Sequence, residues 1–570
     1  MAHRSLSQCC RELERHGELR RIPIEVDPHL EMAEIHRRVH DAGGPALLFE
    51  RVRGSRYPAV SNLFGTEARC HRIFAGTLET VKAIVRAKAD PRQALANVGA
   101  LLKTLPTALR SYPRRARSRH RTIELRDLPM IQSWPADGGP FITLPQVLTE
   151  EPGRSGPLTS NVGMYRIQLA GNDYDFGREV GLHFQIHRGI GVHYARAVER
   201  DERLPVNVYV GGPPAHTLAA IMPLPEGLSE LLFAGMLGGR AFRYERRGPH
   251  LISTDADFVI LGHVRPGRTR PEGPFGDHLG YYSLTHEFPV LEIDRVLARD
   301  DAIWPFTVVG RPPQEDSSFG RLIHEITGPM VPTVVPGLRA MHAVDEAGVH
   351  PLLLAVGSER YVPYQPRRPM ELLTIANAVL GFGQASLAKY LWIAAGEDDP
   401  DIDVHDIATF LQHCLRRFDP ERDLHFQTRS TIDTLDYSGS ALHEGSKLVI
   451  AAAGPVRREL GSSLPTGTAL PSGVRNARVA LPGVLVIDGE AFASADREVT
   501  RIATLTRELE TLPEVTNGFP LCVFCDDADF TARSLANFIW VTFTRSNPSH
   551  DVHGVFAFSE HKHWGCRGPL

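Results

Sequence analysis

Two carboxylates five residues apart, Glu272 and Asp277, lie in the run 271–283 with three glycines, two prolines, one histidine and two tyrosines. Gly and Pro are the poorest helix formers, so the run reads as a loop. Gly also lets backbone approach a ligand closely. Two acids on such a loop suit proton transfer or ion binding; the alternative is a surface turn with solvated acids. Upstream, Asn161 and Arg166 bring an amide and a guanidinium five residues apart. On a strand they would face opposite sides, so a bend between them is needed for both to serve one ligand. His183 and His187 stand at i and i+4, a spacing that shares a helix face and could hold a metal. The Glu of a zinc-protease HExxH is absent.

These residues need elements to hold them. The segment 6–19 reads as a helix, 32–42 as another and 46–49 as a strand. The basic run 114–121 reads as a solvated boundary segment. From about 122 to 325, short β-branched runs at 207–210, 258–261 and 290–293 recur between Gly/Pro turns, with a helix at 228–237. The strand 352–356 opens a third region of alternating strands and helices. There 391–395 and 521–525 each precede acidic residues, a helical pattern and an Arg-x-x-Pro-x-x-Asp-Leu/Val-His signature, at 417–425 and 545–553. This weak repeat reads as a duplicated α/β scaffold unit.

The chain has 570 residues, 42% hydrophobic and 23% charged, with net charge -4. Such length implies more than one domain, and the charge carries no nucleic-acid signature. No signal-peptide pattern or 18-residue apolar window occurs, which points to a cytoplasmic protein without a membrane span. The seven cysteines are then expected reduced. Cys522 and Cys525 form a CxxC, but on a strand they point to opposite faces and read as packed cysteines rather than a redox pair.

Taken in order, Asn161-x-x-x-x-Arg166, His187-Arg188-Gly and Glu272-Gly-Pro-Phe-Gly-Asp277-His resemble the UbiD family of decarboxylases. Segments 61–65, 134–140, 310–313 and 357–360 are similar to family segments, and 434–447 resembles the longer branch labelled menaquinone biosynthesis decarboxylase. The resemblance implies a mixed α/β (α+β) chain in three parts. These are an N-terminal α/β domain (1–120), a central β-rich split-barrel flavin-binding domain (121–328) and a C-terminal Rossmann-like α/β domain with a duplicated unit (329–570).

It implies a carboxy-lyase that uses prenylated FMN on an aromatic or α,β-unsaturated acid, a naphthoate-type menaquinone precursor among them. The family trio maps onto Arg166, Glu272 and Asp277, with Asp277 as proton donor. That role calls for a carboxyl pKa raised from the ordinary ~3.9, to which Phe275 and Glu272 would contribute. Asn161, Arg166, His187 and Arg188 fall to the cofactor, and Asn161 and His187 to a divalent metal, Mn or Mg; the set also admits a monovalent cation. Alignment on the segment after 255 puts Ala241 where the family's third ligand is expected. Either Glu245 substitutes, or the carboxylate is lost and Arg243, Arg246 or Arg247 neutralises phosphate. His183 is a spare ligand. Lys389 and Lys447 read as solvated lysines, with phosphate contact as the alternative. Expected partners are a flavin prenyltransferase as cofactor supplier and further copies of the chain, as dimer or larger. An FMN-binding oxidoreductase and a non-catalytic assembly subunit are the competing readings.

Overall fold

The computed structural model describes residues 3–89, 107, 109–184, 189–224, 228–328, 331–464 and 467–570. His187 and Arg188 lie outside the described residues. The chain divides into two compact units, Met1–Pro329 and Met330–Leu570.

The first unit begins with the helices Leu6–Arg15 and Glu31–Asp41 and the strands Leu19–Val26 and Ala46–Val52; the first helix ends four residues short of the expected 6–19, and the strand Leu19–Val26 was not expected. Ser5 caps the first helix through its hydroxyl, which accepts from the Gln8 amide at 3.2 Å. Leu6, Cys9, Cys10 and Leu13 form its buried face. The four-stranded sheet is completed by Ala59–Ser61 and by Trp304–Pro305, a strand from far downstream.

The centre of this unit is a nine-stranded sheet built around the long hairpin Phe258–Glu272 and His286–Ala298. Ser160–Gly163 forms one edge, and Ile167–Gln168 lies next to the opposite edge. In a flat sheet, six spacings of ~4.8 Å would separate these two strands by roughly 29 Å. Only Met164, Tyr165 and Arg166 join them, and four Cα steps reach at most ~15 Å. The sheet must therefore roll until its edges approach. Among the described residues no ladder closes it, so the expected barrel is rolled but open.

The basic run is not a linker. Arg114–Arg115 pairs in parallel with Arg243–Tyr244, and Arg121–Ile123 pairs with Val296–Ala298. Its arginines stay exposed while the backbone joins two sheets.

The second unit has parallel strands Leu352–Gly357, Tyr390–Ala395 and Glu444–Ala452, flanked by antiparallel Leu338–Ala343 and Leu424–Thr431. Helix Glu371–Leu380 packs on the face of Leu353, Ala355, Leu391 and Ile393. Helix Ile407–Arg417 packs on the face of Leu354, Trp392 and Ala394. Helices on both faces of a mostly parallel sheet make a doubly wound layer. The repeat is structural punctuation. After each helix, the amide before the proline's turn closes on the aspartate four residues on: Asp419 to Asp423 at 3.0 Å, and Asn547 to Asp551. Cys522 packs with Leu485 and Ile487, and Cys525 with the opposite core, so the CxxC is not a pair.

Both lysines read as solvated are buried instead. Lys389 donates to Ser438 at 2.6 Å and to the Ser546 carbonyl at 2.7 Å, and pairs with Asp436 at 2.8 Å. Lys447 donates to the carbonyls of Ser386, Ala388 and Thr431 at 2.6, 2.9 and 2.7 Å. Their partners are distant in sequence, which is why no local pattern marks them. Among the described residues, no helix is long and apolar enough to cross a membrane.

Candidate active site

Arg166, Glu272 and Asp277 converge. Glu272 ends the strand Phe258–Glu272 and is fully buried. Arg166 follows the break after Gly163, the bend that its spacing from Asn161 required. Its Nε and Nη2 donate to the two Glu272 oxygens, each at 2.8 Å, a forked pair. Nη1 donates to Asp277 Oδ2, and Nη2 also reaches the Ser283 hydroxyl at 3.2 Å. The guanidinium lies over the Phe275 ring, 4.8 Å from its centroid. One cation thus serves two anions.

The electrostatics follow. Burial works to raise the Glu272 carboxyl, but the charge and hydrogen bonds of Arg166, with a bond from His183, push it down to about 2. Burial also works to raise Asp277, and Arg166 and His278 overcome it, holding this carboxyl well below the usual range. The raised Asp277 pKa expected from burial and acid–acid repulsion is absent because Arg166 stands between the two acids. His278 donates its amide to Asp277 Oδ1 at 2.7 Å, and its ring Nδ1 lies 2.8 Å from the same oxygen.

Residues outside the motif pattern hold the loop. The Asp137 carboxylate accepts the amides of Gly276 at 2.8 Å, Trp134 at 2.9 Å and Ser133 at 3.2 Å. Burial, partly offset by those amides, pushes it up to about 6. A Cβ on Gly276 would meet Trp134 Cδ1 at 2.1 Å, so the indole requires glycine there. Gln168 accepts the Gly273 amide at 2.9 Å, and Ser283 accepts that of Phe275 at 3.1 Å. The only sequence signal for Asp137 is its place in the 134–140 segment.

His183 is not on a helix with position 187. It follows the strand Glu179–Leu182, and its Nδ1 lies 3.2 Å from Glu272 Oε2. It therefore supports Glu272, a role the His-x-x-x-His spacing did not suggest.

Asn161 sits on the strand Ser160–Gly163, its side-chain oxygen against the first turn of the helix Gly189–Glu199. A Cβ on Gly189 would meet that oxygen at 2.0 Å. Among the described residues, the buried Asn161 Nδ2 has no hydrogen-bond partner. The candidates for a third ligand are corrected here. Ala241 has no donor, and the Glu245 carboxylate is engaged by Arg247 at 2.8 Å and by the Ser118 amide. Arg243 pairs with Asp255, Arg246 with Glu150 and Arg247 with Glu245, so each of these arginines already has a carboxylate. A carboxylate beside the strand that carries Asn161 is that of Glu230, the first residue of the helix Glu230–Leu237. It faces the Val162 amide, and burial, partly offset by that amide and its own, pushes it up to about 7. Its signal in the sequence was an acid at the start of the 228–237 helix. Among the described residues, no three His, Cys, Asp or Glu side chains form a metal-binding group.

Comparison with known proteins fits this geometry. The N-terminal, Rift-related and C-terminal domain models of 3-octaprenyl-4-hydroxybenzoate carboxy-lyase match residues 10–88, 110–312 and 317–452. The chain belongs to the UbiD family. A Chlamydia pneumoniae relative, named as a subunit of 4-hydroxybenzoate decarboxylase, is 38% identical over 95% of this chain and 88% of its own length. Among solved structures, the closed form of Sedimentibacter hydroxybenzoicus vanillic acid decarboxylase covers 83% of this chain and 97% of its own. It aligns at TM-score 0.68 and 21% identity. An evolved dimeric form of the UbiD-class enzyme HmfF from Pelotomaculum thermopropionicum, in complex with prFMN, aligns at TM-score 0.58 and 21% identity. It covers 81% of this chain and 97% of its own. The UbiD family is a family of carboxy-lyases, and the mixed α/β architecture described above is its fold.

Proposed function

We propose that this UbiD-family chain is a prenylated-FMN-dependent, non-oxidative (de)carboxylase of an aromatic or α,β-unsaturated carboxylic acid. The observation that carries the reading is the buried Arg166 fork on Glu272, with Asp277 on the same guanidinium.

Glu272 fixes Arg166, and Arg166 orients the substrate carboxylate. Asp277 delivers the proton that replaces CO2. As the site stands, Asp277 is ionised. A third anion beside Arg166 would draw on the same guanidinium and repel Asp277, raising its pKa. Proton uptake by Asp277 is thereby coupled to substrate entry. Ser283 and Asp137 hold the loop so that the acid keeps its place.

Prenylated FMN, when bound, supplies the electron sink for loss of CO2. The residues fit a phosphate-bearing cofactor with a divalent metal: the buried Asn161 Nδ2 lacks an acceptor among the described residues, which a phosphate would supply, Asn161 Oδ1 would be free to ligate the metal, Glu230 faces the neighbouring Val162 amide, and the helix Gly189–Glu199 starts there. Asn161 and Glu230 would hold Mn or Mg. His187 and Arg188, outside the described residues, complete the proposed set. The three-part division at 120 and 328, a cytoplasmic location, supply of the cofactor by a flavin prenyltransferase and self-association through the C-terminal region belong to the same reading. The 434–447 segment puts naphthoate-type menaquinone precursors among the first acids to try.

The test is reconstitution with prenylated FMN and a screen of carboxylic acids for CO2 release, with the mass of the released flavin measured in parallel. Turnover that requires the prenylated cofactor supports the reading. A bound unmodified FMN with no CO2 release from any acid contradicts it.

A further inference from the structure

A cavity of about 570 Å³ lies within the first unit, where the N-terminal sheet meets the central one. Small-molecule sites commonly fall at such junctions and span ~300–1,000 Å³. Its floor is apolar and buried: Leu48 and Tyr57 from the N-terminal side, Ile123, Ala298 and Ala302 from the central side. The Cys10 thiol also lines it and, pushed up to about 12 by burial, adds no charge.

The rim is arginine. Arg11, Arg21, Arg56, Arg121 and Arg299 line the cavity together with the acids Glu50, Asp300 and Asp301. Each acid is taken by an arginine of the same rim: Glu50 by Arg21 at 2.8 Å, Asp300 by Arg121 at 3.0 Å and Asp301 by Arg299 at 3.0 Å. Arg21 also forks onto Glu14, which does not line the cavity. Arg11 and Arg56 are left over. Among the described residues Arg11 makes no ion pair, and its Nη1 donates to the Ser7 hydroxyl at 2.6 Å. Arg56 has only a long contact, 3.9 Å, to Asp127. Its Nη2 donates to the Tyr57 hydroxyl at 2.9 Å, and its guanidinium lies over that ring, 5.0 Å from the centroid. Neutral partners thus orient both guanidiniums and leave most of their N–H donors unused.

The lining therefore carries two positive charges in excess above an apolar floor. A phosphate monoester bears close to two negative charges at neutral pH, and the guanidinium fork matches its oxygens. We propose that this cavity binds an organic phosphate monoester, its body on the apolar floor and its phosphate drawn to the Arg11 and Arg56 guanidiniums. The cavity is separate from the active site. Ala298 ends the strand His286–Ala298, whose other end pairs with Glu272. The 13 residues of that strand, at ~3.3 Å each, put roughly 40 Å between them along the chain. Binding here does not depend on the chemistry proposed above.

Isothermal titration calorimetry of the full chain tests this with 1-naphthyl phosphate as the probe. The comparisons are 1-naphthol, which is neutral, naphthalene-1-sulfonate, which carries one charge, and inorganic phosphate, which lacks the body. Each is expected to bind at least ~10-fold more weakly than the ester. Arg11 and Arg56 are exposed, so replacing either leaves the core intact. Arg11→Gln and Arg56→Gln should each raise the Kd of the ester by ~10-fold or more. Arg56→Lys keeps the charge and should recover part of the loss. A Kd unchanged in both Gln variants puts the probe elsewhere and overturns the proposal. So does an ester that does not bind, or one that binds no better than naphthol or inorganic phosphate.

Discussion

At the residue scale, the site is decided by one guanidinium shared between two carboxylates. The substitution Asp277→Asn keeps the side-chain volume and removes the proton that the acid would deliver. It should lower turnover of the reconstituted chain by ~10²–10⁴-fold, the usual worth of a positioned acid, with substrate affinity largely kept. Unchanged turnover would remove Asp277 from the mechanism. Glu272 gives a separate prediction in stability. Its pKa in the fold is about 2, below its ordinary value. The stabilisation is therefore complete above the ordinary carboxyl range and is lost as pH falls from ~5 toward about 2, amounting to about 3 kcal/mol. Denaturant midpoints measured down this range should fall steeply in the wild type. The slope should flatten in Glu272→Gln; equal slopes would show that the pair contributes no pH-linked stability.

At the element scale, the loop 271–283 works because other elements hold it. Asp137 grips its backbone, Trp134 lies against Gly276, and the short crossing Met164–Arg166 carries Arg166 to it. The acids themselves were legible, because Gly/Pro punctuation and paired carboxylates are local features. So were the strands, since β-branched runs between turns mark them directly. The contacts of His183, Asp137 and Glu230 were not legible, because those partners are 89, 139 and 68 positions away in Glu272, Gly276 and Val162. The same distance hid Lys447, which closes three carbonyls from two segments of the second unit. Lys447→Met would leave those acceptors unpaired and should destabilise the second unit by about 3 kcal/mol. A thermal melt reads this; an unchanged midpoint would show that the cage contributes nothing to stability.

At the scale of the whole molecule, the resemblance runs through both compact units, and the family models reach from residue 10 to residue 452. One copy of the repeated unit lies inside that range and the other beyond it, and the two share turn chemistry rather than reactive groups. This favours a scaffold role, and the full chain is expected to run as a dimer or larger in light scattering. A monomer at micromolar concentration would contradict self-association. The rolled sheet follows from three residues joining strands that a flat sheet would hold far apart. It brings Arg166 to Glu272 and Asp277, and this trio is proposed to deliver a proton to the carbon that loses CO2. Deuterium incorporation into the product, in heavy water, by the chain loaded with prenylated FMN reads that step itself. One deuterium at the former carboxyl carbon is predicted, with the rate lost in Asp277→Asn and Arg166→Ala. Incorporation at the wild-type rate in both variants would contradict it.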